Sequence, residues 1–544
     1  MFLILLASLI VSSSAGTSCD ETALLQSRHT HQAGALCAEL SDGRMDYLAG
    51  GPYSAKEVGQ VACNMAANIF LDGTIVAAPA NGTEVIYTWK SGDSIMQNDY
   101  YYMWTRDSAL TMRTLIRTGG KGPAVKEQVS QYTKTFHKIY SETTPNHDCA
   151  PWGLSGWCSM YGEPKFFLNK SVYNKGWGRA QNDGPALVAL VMMDALEELT
   201  PDSAEAELAK NITISALTYV GNGASDSTID PWEMLYGLHY FDQVIFHRAF
   251  AAGAEQSQKR TWSDTDNFPN WEAMMNTYLQ AHWNETGGAL TETIARTWFN
   301  TVGPKCLKSG LGDGLEGGTP CELDVATLIG ILATVPRPGL GSAQVAAPYD
   351  SKVLATADFL VESMAPTYEV NSVDDEAGLP GTLIGRYPGD EYSGVIMSPS
   401  NATSPCTGFN CGNPWFLTTH TLADLYYVAA KAAAEGKLIE DSLNRGFILR
   451  AYKLAAQKLV LLDAPCPKGK ELGKLLLDAG DGILTRAKAH ALPGMHMSEQ
   501  IYRGNNKFPP IEVGIQFGVA DLTWSYASLL DALASRAEAM EVLG

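Results

Sequence analysis

Basic residues are scarce in this chain: 39 Lys and Arg stand against 59 Asp and Glu, leaving a net charge of −20 over 544 residues. Nucleic-acid phosphates and anionic lipid surfaces reward basic patches, so neither is expected as a partner. Long apolar runs are also missing, apart from the first residues, MFLILLASLIVSSSAG. That run is too short to span a bilayer. Closed by small residues around Ser13–Gly16, it reads as a secretory signal peptide over 1–16, without the usual basic start. Alternating strand patterns are few. The ten histidines show no zinc spacing, and there is no P-loop and no G-x-S-x-G elbow. GDGLEG (Gly312–Gly317) matches G-x-G-x-x-G, but no strand pattern precedes it. No metal and no cofactor are expected.

Ten cysteines are present, and an even count behind a signal peptide favours disulfides over metal ligation. The local pairs Cys149–Cys158, Cys306–Cys321 and Cys406–Cys411 would each close a loop rich in Gly, Ser or Pro. Sequons at Asn81, Asn169, Asn211, Asn284 and Asn401 fit a secreted surface.

Apolar residues recur mostly with the 3.6-residue period of helices. Ser54–Leu71 opens with a capping box, Ser54 and Glu57, and stacks Val58, Val61, Ala62, Met65 and Ile69 on one face. Similar runs cover 106–118, 124–140, 184–199, 203–220, 234–255, 268–283, 323–334, 351–363, 413–435, 442–462, 471–490 and 521–540. With 442–462 set aside, twelve runs form six consecutive pairs, which predicts an all-α (α/α)6 barrel, a six-hairpin toroid, over 53–544 as a single domain. Residues 17–52 read as an irregular N-terminal segment, held by a disulfide. The chain stops four residues after the last run, leaving no room for an appended module.

Five polar clusters mix Trp, Tyr, Arg and carboxylates shortly ahead of helical runs: YYYMWTRD (Tyr100–Asp107), NKGWGRAQNDGPA (Asn174–Ala186), IDPWEM (Ile229–Met234), GRYPGDEY (Gly385–Tyr392, resumed by GNPW at Gly412–Trp415) and HMSEQ (His496–Gln500). If paired helices run antiparallel, all five gather at one end. Glu233 alone reads equally well as a helix-start carboxylate, and Glu499 as a solvated loop residue. Arg106 and Asp107 alone could be a plain ion pair. Together, inside aromatic clusters, two carboxylates suit glycoside hydrolysis, which needs a proton donor and a second carboxylate opposite it. Asp and Arg suit sugar hydroxyls because one accepts and the other donates in fixed directions. Trp152 and Trp157 serve as rim platforms or as structural residues.

The blocks YYYMWTRDSAL, GEPKFFLNKSVYNKGWGRAQNDGPAL, DPWE, GRYPGD with GNPWFL, and MSEQ with DLTWSYASLL resemble the glucoamylases of glycoside hydrolase family 15, in family order from about residue 50 to 535. The resemblance implies an (α/α)6 barrel that releases β-D-glucose, with inversion, from non-reducing ends of α-1,4-glucans. By motif it makes Glu233 the general acid and Glu499 the general base, and sets Tyr100 beside the catalytic water. Arg106, Asp107 and Arg386 would bind the terminal glucose. Trp177, Asp230 and Trp232 would surround the acid, Trp415 and Trp524 would line the pocket, and Asp390 would be a structural carboxylate nearby. It further implies a secreted, monomeric enzyme acting on α-glucan oligo- or polysaccharide; no starch-binding module is expected. Action on α-1,6-glucan or trehalose, or glucan binding without catalysis, are the alternatives. Two departures stand out. Met234 occupies a position where the family carries an acidic residue, which predicts weaker leaving-side binding. An insertion through Ser393–Cys411 predicts a flap near the mouth.

Overall fold

The computed structural model describes residues 34–88, 92, 94–142, 159–294, 323–336, 346–398, 412–455, 466–504 and 511–544. The signal peptide, the three local cysteine pairings, Trp152, Trp157 and the Asn401 sequon lie outside the described residues.

Helices Ala55–Ala67 (α1), Thr105–Gly119 (α2), Pro123–Ser141 (α3), Asp183–Ala195 (α4), Ala204–Gly223 (α5), Tyr240–Arg260 (α6), Phe268–Gln280 (α7), Val325–Ala333 (α8) and Ser351–Met364 (α9) follow the sequence periodicity closely. A short helix, Glu369–Glu376 (α10), lies between α9 and Phe416–Ala434 (α11). Arg445–Leu454 (α12), Lys470–Ala489 (α13) and Thr523–Leu543 (α14) complete the order. The helices α2, α4, α6, α8, α11 and α14 pack each on the next, and α14 returns to α2, closing an inner ring. The others form an outer layer, with α10 and α12 as extras. Every residue of α4 is buried, as an inner helix requires, whereas α1 buries only Val58, Gly59, Val61, Ala62, Met65 and Ala66. The Ser54–Glu57 capping box forms as expected.

The hairpin frame is shifted by one element from the sequence-based pairing. Each outer helix packs on the inner helix before it, as in α4 with α5, α6 with α7 and α11 with α13; α1 packs on α14 instead. Connection length explains this. Only residues 120–122 separate α2 from α3, and a short link makes antiparallel neighbours. The long segments that bear the clusters run from outer to inner helices, so all still emerge at one end.

Three local expectations change. The run predicted to start at 234 begins as a helix only at Tyr240, because Tyr236–His239 is a strand paired with Thr228–Ile229 and Thr293–Ile294. The segment before residue 53 is less irregular than its sequence suggests, with helical residues 34–40 and a 3-10 turn at Asp46–Leu48. A Cys37–Cys63 disulfide ties it to α1. Cys466, by contrast, is a free, buried thiol, so the even cysteine count does not mean that all are paired.

Candidate active site

The first turns and preceding loops of the inner helices surround one cavity of about 650 Å³ at the cluster-bearing end, within the range of small-molecule sites. Tyr100, Arg106, Asp107, Trp177, Trp232, Glu233, Arg386, Trp415, Glu499 and Trp524 all line it. Of the sequence-selected binding residues, Asp230 is the one outside its lining.

Asp230 shapes the backbone instead. It is buried in the turn between strands Thr228–Ile229 and Tyr236–His239, and its carboxylate accepts the backbone N–H groups of Trp232, Met234 and Leu235. That turn holds Glu233 at φ 64°, a left-handed conformation that costs a non-glycine residue about 1 kcal/mol or more. Glu233 is therefore not a helix-start carboxylate; it stands seven residues ahead of α6 on a turn braced by Asp230. Its Oε1 accepts Nε1–H of Trp104 and Nε2–H of Gln181, both at 2.9 Å. With Oε1 taken by two donors, Oε2 is the oxygen left for a further contact. Trp177 packs edge-on against Trp104, with centroids 6.2 Å apart.

Glu499 is fully buried and pinned on both sides: its N–H donates to the Val519 carbonyl at 2.8 Å, and its own carbonyl accepts from Phe416. The Tyr100 hydroxyl donates to Oε1 at 3.0 Å, and Gln500 Nε2 donates to Oε2 at 3.2 Å. Two glycines leave room for Oε2. A Cβ on Gly518 (φ +75°) would sit 2.5 Å from that oxygen, and one on Gly394 (φ +74°) 2.8 Å from it. Burial pushes the Glu499 carboxyl up to about 8, against the pull of Tyr100, Arg386 and Gln500. Tyr100 also shares a 2.7 Å hydrogen bond with the Tyr392 hydroxyl, which accepts Asn98 Nδ2–H at 2.8 Å. The Tyr100 and Trp104 rings are tilted at 52° with centroids 5.2 Å apart, so the two carboxylates are linked through this ring pair and keep separate donors.

The cationic groups are fixed in advance. Arg386 makes a bidentate pair with Asp390, at 2.7 and 2.6 Å, while Trp232, Tyr387, Tyr392 and Trp415 surround its guanidinium. Arg106 reaches Asp183 Oδ2 at 2.8 Å and Gln181 Oε1 at 3.2 Å, and its Nε is buried without a hydrogen-bond partner. Burial raises the neighbouring Asp107 carboxyl to about 7, with Arg106 opposing and Glu233 reinforcing the shift. Trp232 stacks near Trp524, and its Nε1–H donates to Asp324, the N-cap of α8.

The sequence reading passed over Trp104, Gln181, Tyr392, Asn98, Lys165, Gly394 and Gly518. Trp104, Gln181 and Tyr392 lay inside the polar clusters, so the signal was there to be used. Lys165 is buried on strand Lys165–Phe166 with Nζ 3.2 Å from the Trp177 ring centroid and 4.1 Å from that of Trp104. Burial lowers its ammonium to about 8. No short motif marks it.

Two carboxylates thus line one cavity together with prefixed guanidiniums and indoles. The family model for glycosyl hydrolases family 15 matches residues 61–534. The chain belongs to glycosyl hydrolase family 15. This family 15 chain is 28% identical over 469 residues to a glucoamylase of Blastobotrys adeninivorans, covering 82% of the chain and 67% of that relative. Glucoamylase 1 of Rhizopus oryzae is 28% identical over 455 residues, covering 81% of the chain and 65% of its own length. The chain thus spans about two thirds of these relatives. The solved glucoamylase from Saccharomycopsis fibuligera superposes with a TM-score of 0.66 at 24% identity, covering 95% of this chain and 96% of that one. The barrel expected from the sequence is the fold of this family 15 chain.

Proposed function

We propose that this family 15 hydrolase removes single glucose units, with inversion, from the non-reducing ends of α-1,4-glucans. Arg106, Asp107 and Arg386 grip the terminal sugar at the buried end of the cavity. Glu233 protonates the departing glycosidic oxygen from Oε2. Glu499, oriented by Tyr100 and Gln500, takes a proton from the water that attacks the anomeric carbon. Trp177, Trp232, Trp415 and Trp524 form the apolar walls, and Asp230 acts on the acid through its turn. The observation that supports this reading is that Glu233 and Glu499 line one cavity with separate donors, Trp104 and Gln181 for the first and Tyr100 and Gln500 for the second. Glycoside hydrolysis by an acid and a base uses two such carboxylates, and the anomer released reports whether a water stands between base and sugar.

Proton NMR during maltooligosaccharide hydrolysis tests it: β-glucose is expected as the first product, and initial α-glucose overturns inversion. Glu233→Gln and Glu499→Gln should each cost about 10²–10⁴-fold in kcat. Near-normal turnover in either variant removes that residue from its role. A panel of maltose, isomaltose, trehalose and soluble starch fixes the preferred linkage.

The reading extends to an extracellular glycoprotein. Asn81, Asn169 and Asn211 are exposed, and Asn81 and Asn169 each accept the hydroxyl of their own sequon residue, Thr83 or Ser171. Asn284 is half-buried, and its Oδ1 accepts the backbone N–H of Thr286 and Gly287, which makes it the least open of these four acceptors.

A further inference from the structure

The cavity is polar at its buried end and apolar on one side of its mouth. Strands Val85–Thr88, Ser94–Gln97 and Val395–Ser398 form a three-stranded sheet beside it, the last of them supplied by the start of the Ser393–Cys411 insertion. Ile95 is buried on one face of this sheet, with Tyr502 and Phe517. Side chains alternate along a strand, so Met96 falls on the other face. Met96 pairs with Val85 on one side and with Ile396 on the other, giving one apolar row across three strands. Val85 and Ile396 at its ends are 56% and 42% exposed. Ile396 also lines the cavity, so the row is continuous with the site.

Met234 extends that character inward. It is half-buried in the same lining, directly after Glu233 in sequence, and its sulfur accepts the Tyr387 hydroxyl at 3.0 Å. The tyrosine proton that faces this stretch of wall is therefore already used. Asp99 is the exposed acidic group of the lining, and its carboxylate holds the Tyr102 hydroxyl and the Tyr101 N–H. The hydroxyls of a leaving sugar would find few open partners at Met234 and Ile396, whereas a hydrocarbon would lose water favourably against both.

We propose that Met234 and Ile396 form a leaving-group subsite for an apolar aglycone, so that the protein also cleaves α-glucosides of hydrocarbon alcohols. This rests on the hydrolytic reading above. The reaction is the same: the bond from C1 to the glycosidic oxygen breaks, and water oxygen bonds to C1. Glu233 gives its proton to the departing alcohol oxygen, and Glu499 receives one from water. The products are β-glucose and the free alcohol.

The test is kcat/KM for methyl, butyl, hexyl and octyl α-D-glucopyranosides, with maltose alongside, for the wild type and for Ile396→Ser and Met234→Gln. Ile396 is exposed, so its replacement is a surface change, and melting temperatures check that both variants fold. In the wild type, kcat/KM should rise by up to about fourfold per methylene until the row is covered. Each variant should flatten that rise. A chain-length slope of zero in a wild type that cleaves maltose overturns the subsite, as does an unaltered slope in both variants. Failure to release glucose from maltose and from every alkyl glucoside sinks the hydrolytic reading itself, and the subsite with it.

Discussion

Replacing Tyr100 by Phe removes one oxygen and leaves the ring on Trp104 in place. That oxygen donates at 3.0 Å to Glu499 Oε1 and is the largest of the influences that hold the buried carboxyl down. A hydrogen bond to a charged group contributes about 1.5–3 kcal/mol, and one pKa unit corresponds to about 1.4 kcal/mol. Loss of the bond should raise Glu499 by about one to two units. The sign follows directly: the bond favours the carboxylate, so without it the proton is held to higher pH. A general base is active when ionised, so the acidic limb of kcat/KM against pH should move upward by that amount. The assay is maltose or maltotriose hydrolysis across about pH 5–11, with kcat and KM separated at each point. Tyr392→Phe is the internal comparison. It acts through Tyr100, at 2.7 Å from that hydroxyl, and should move the limb less. A shift of the alkaline limb instead would make Glu499 the proton donor and reverse the roles of the two carboxylates. No shift in either limb would mean that the Tyr100 bond does not govern the ionisation of Glu499.

Gly518→Ala places a methyl group 2.5 Å from Glu499 Oε2 at a backbone φ of +75°, so activity should fall at least about tenfold and stability by about 1–3 kcal/mol, read by kinetics and thermal melting. Stability should also fall between about pH 6.5 and 8.5 by about 2 kcal/mol. In that window Glu499, raised to about 8, and Asp107, raised to about 7, still hold protons that the unfolded chain has released. Below that window, the neutral buried His247 and His282, lowered to about 4, oppose the carboxyls, so denaturant melts at fixed pH values should show a shallower dependence there than between about pH 6.5 and 8.5. Opening the Cys37–Cys63 bridge by a Cys37→Ser, Cys63→Ser double substitution frees a 26-residue loop and should cost about 3 kcal/mol in urea unfolding.

Much of this molecule is legible in its sequence because helices and loop clusters are local. The run at Ser54, its capping box and the six inner helices follow from a 3.6-residue period, and three of the five clusters directly precede the inner helices they serve. Most of what differed depends on pairing and close approach. The segment Tyr236–His239 carries helix-compatible apolar residues, but its pairing with Thr228–Ile229 and with Thr293–Ile294, far along the chain, makes it a strand. Asp230, expected beside the acid, is there, and its three backbone partners, all within five residues, use its carboxylate to fix the turn that carries Glu233. Gly394 and Gly518 read as loop glycines, since nothing local reveals that both approach the same carboxylate oxygen. Cysteine parity offered no way to distinguish Cys466, a thiol beside Arg445 in the packed interior, from its paired neighbours.

The inner ring is joined by docking α14 between α2 and α11, with α1 clasping it from outside. Asn68 at the end of α1 donates to Thr523, whose hydroxyl in turn donates to the Val76 carbonyl, so the seam is a seal between the first and last helices of the barrel. Trp524 stands one residue beyond that seal and walls the cavity. The cavity therefore lacks a complete wall until α14 docks between α2 and α11. A cut in the short α2–α3 link, at the end away from the cavity, would leave that seam and every cluster-bearing loop intact.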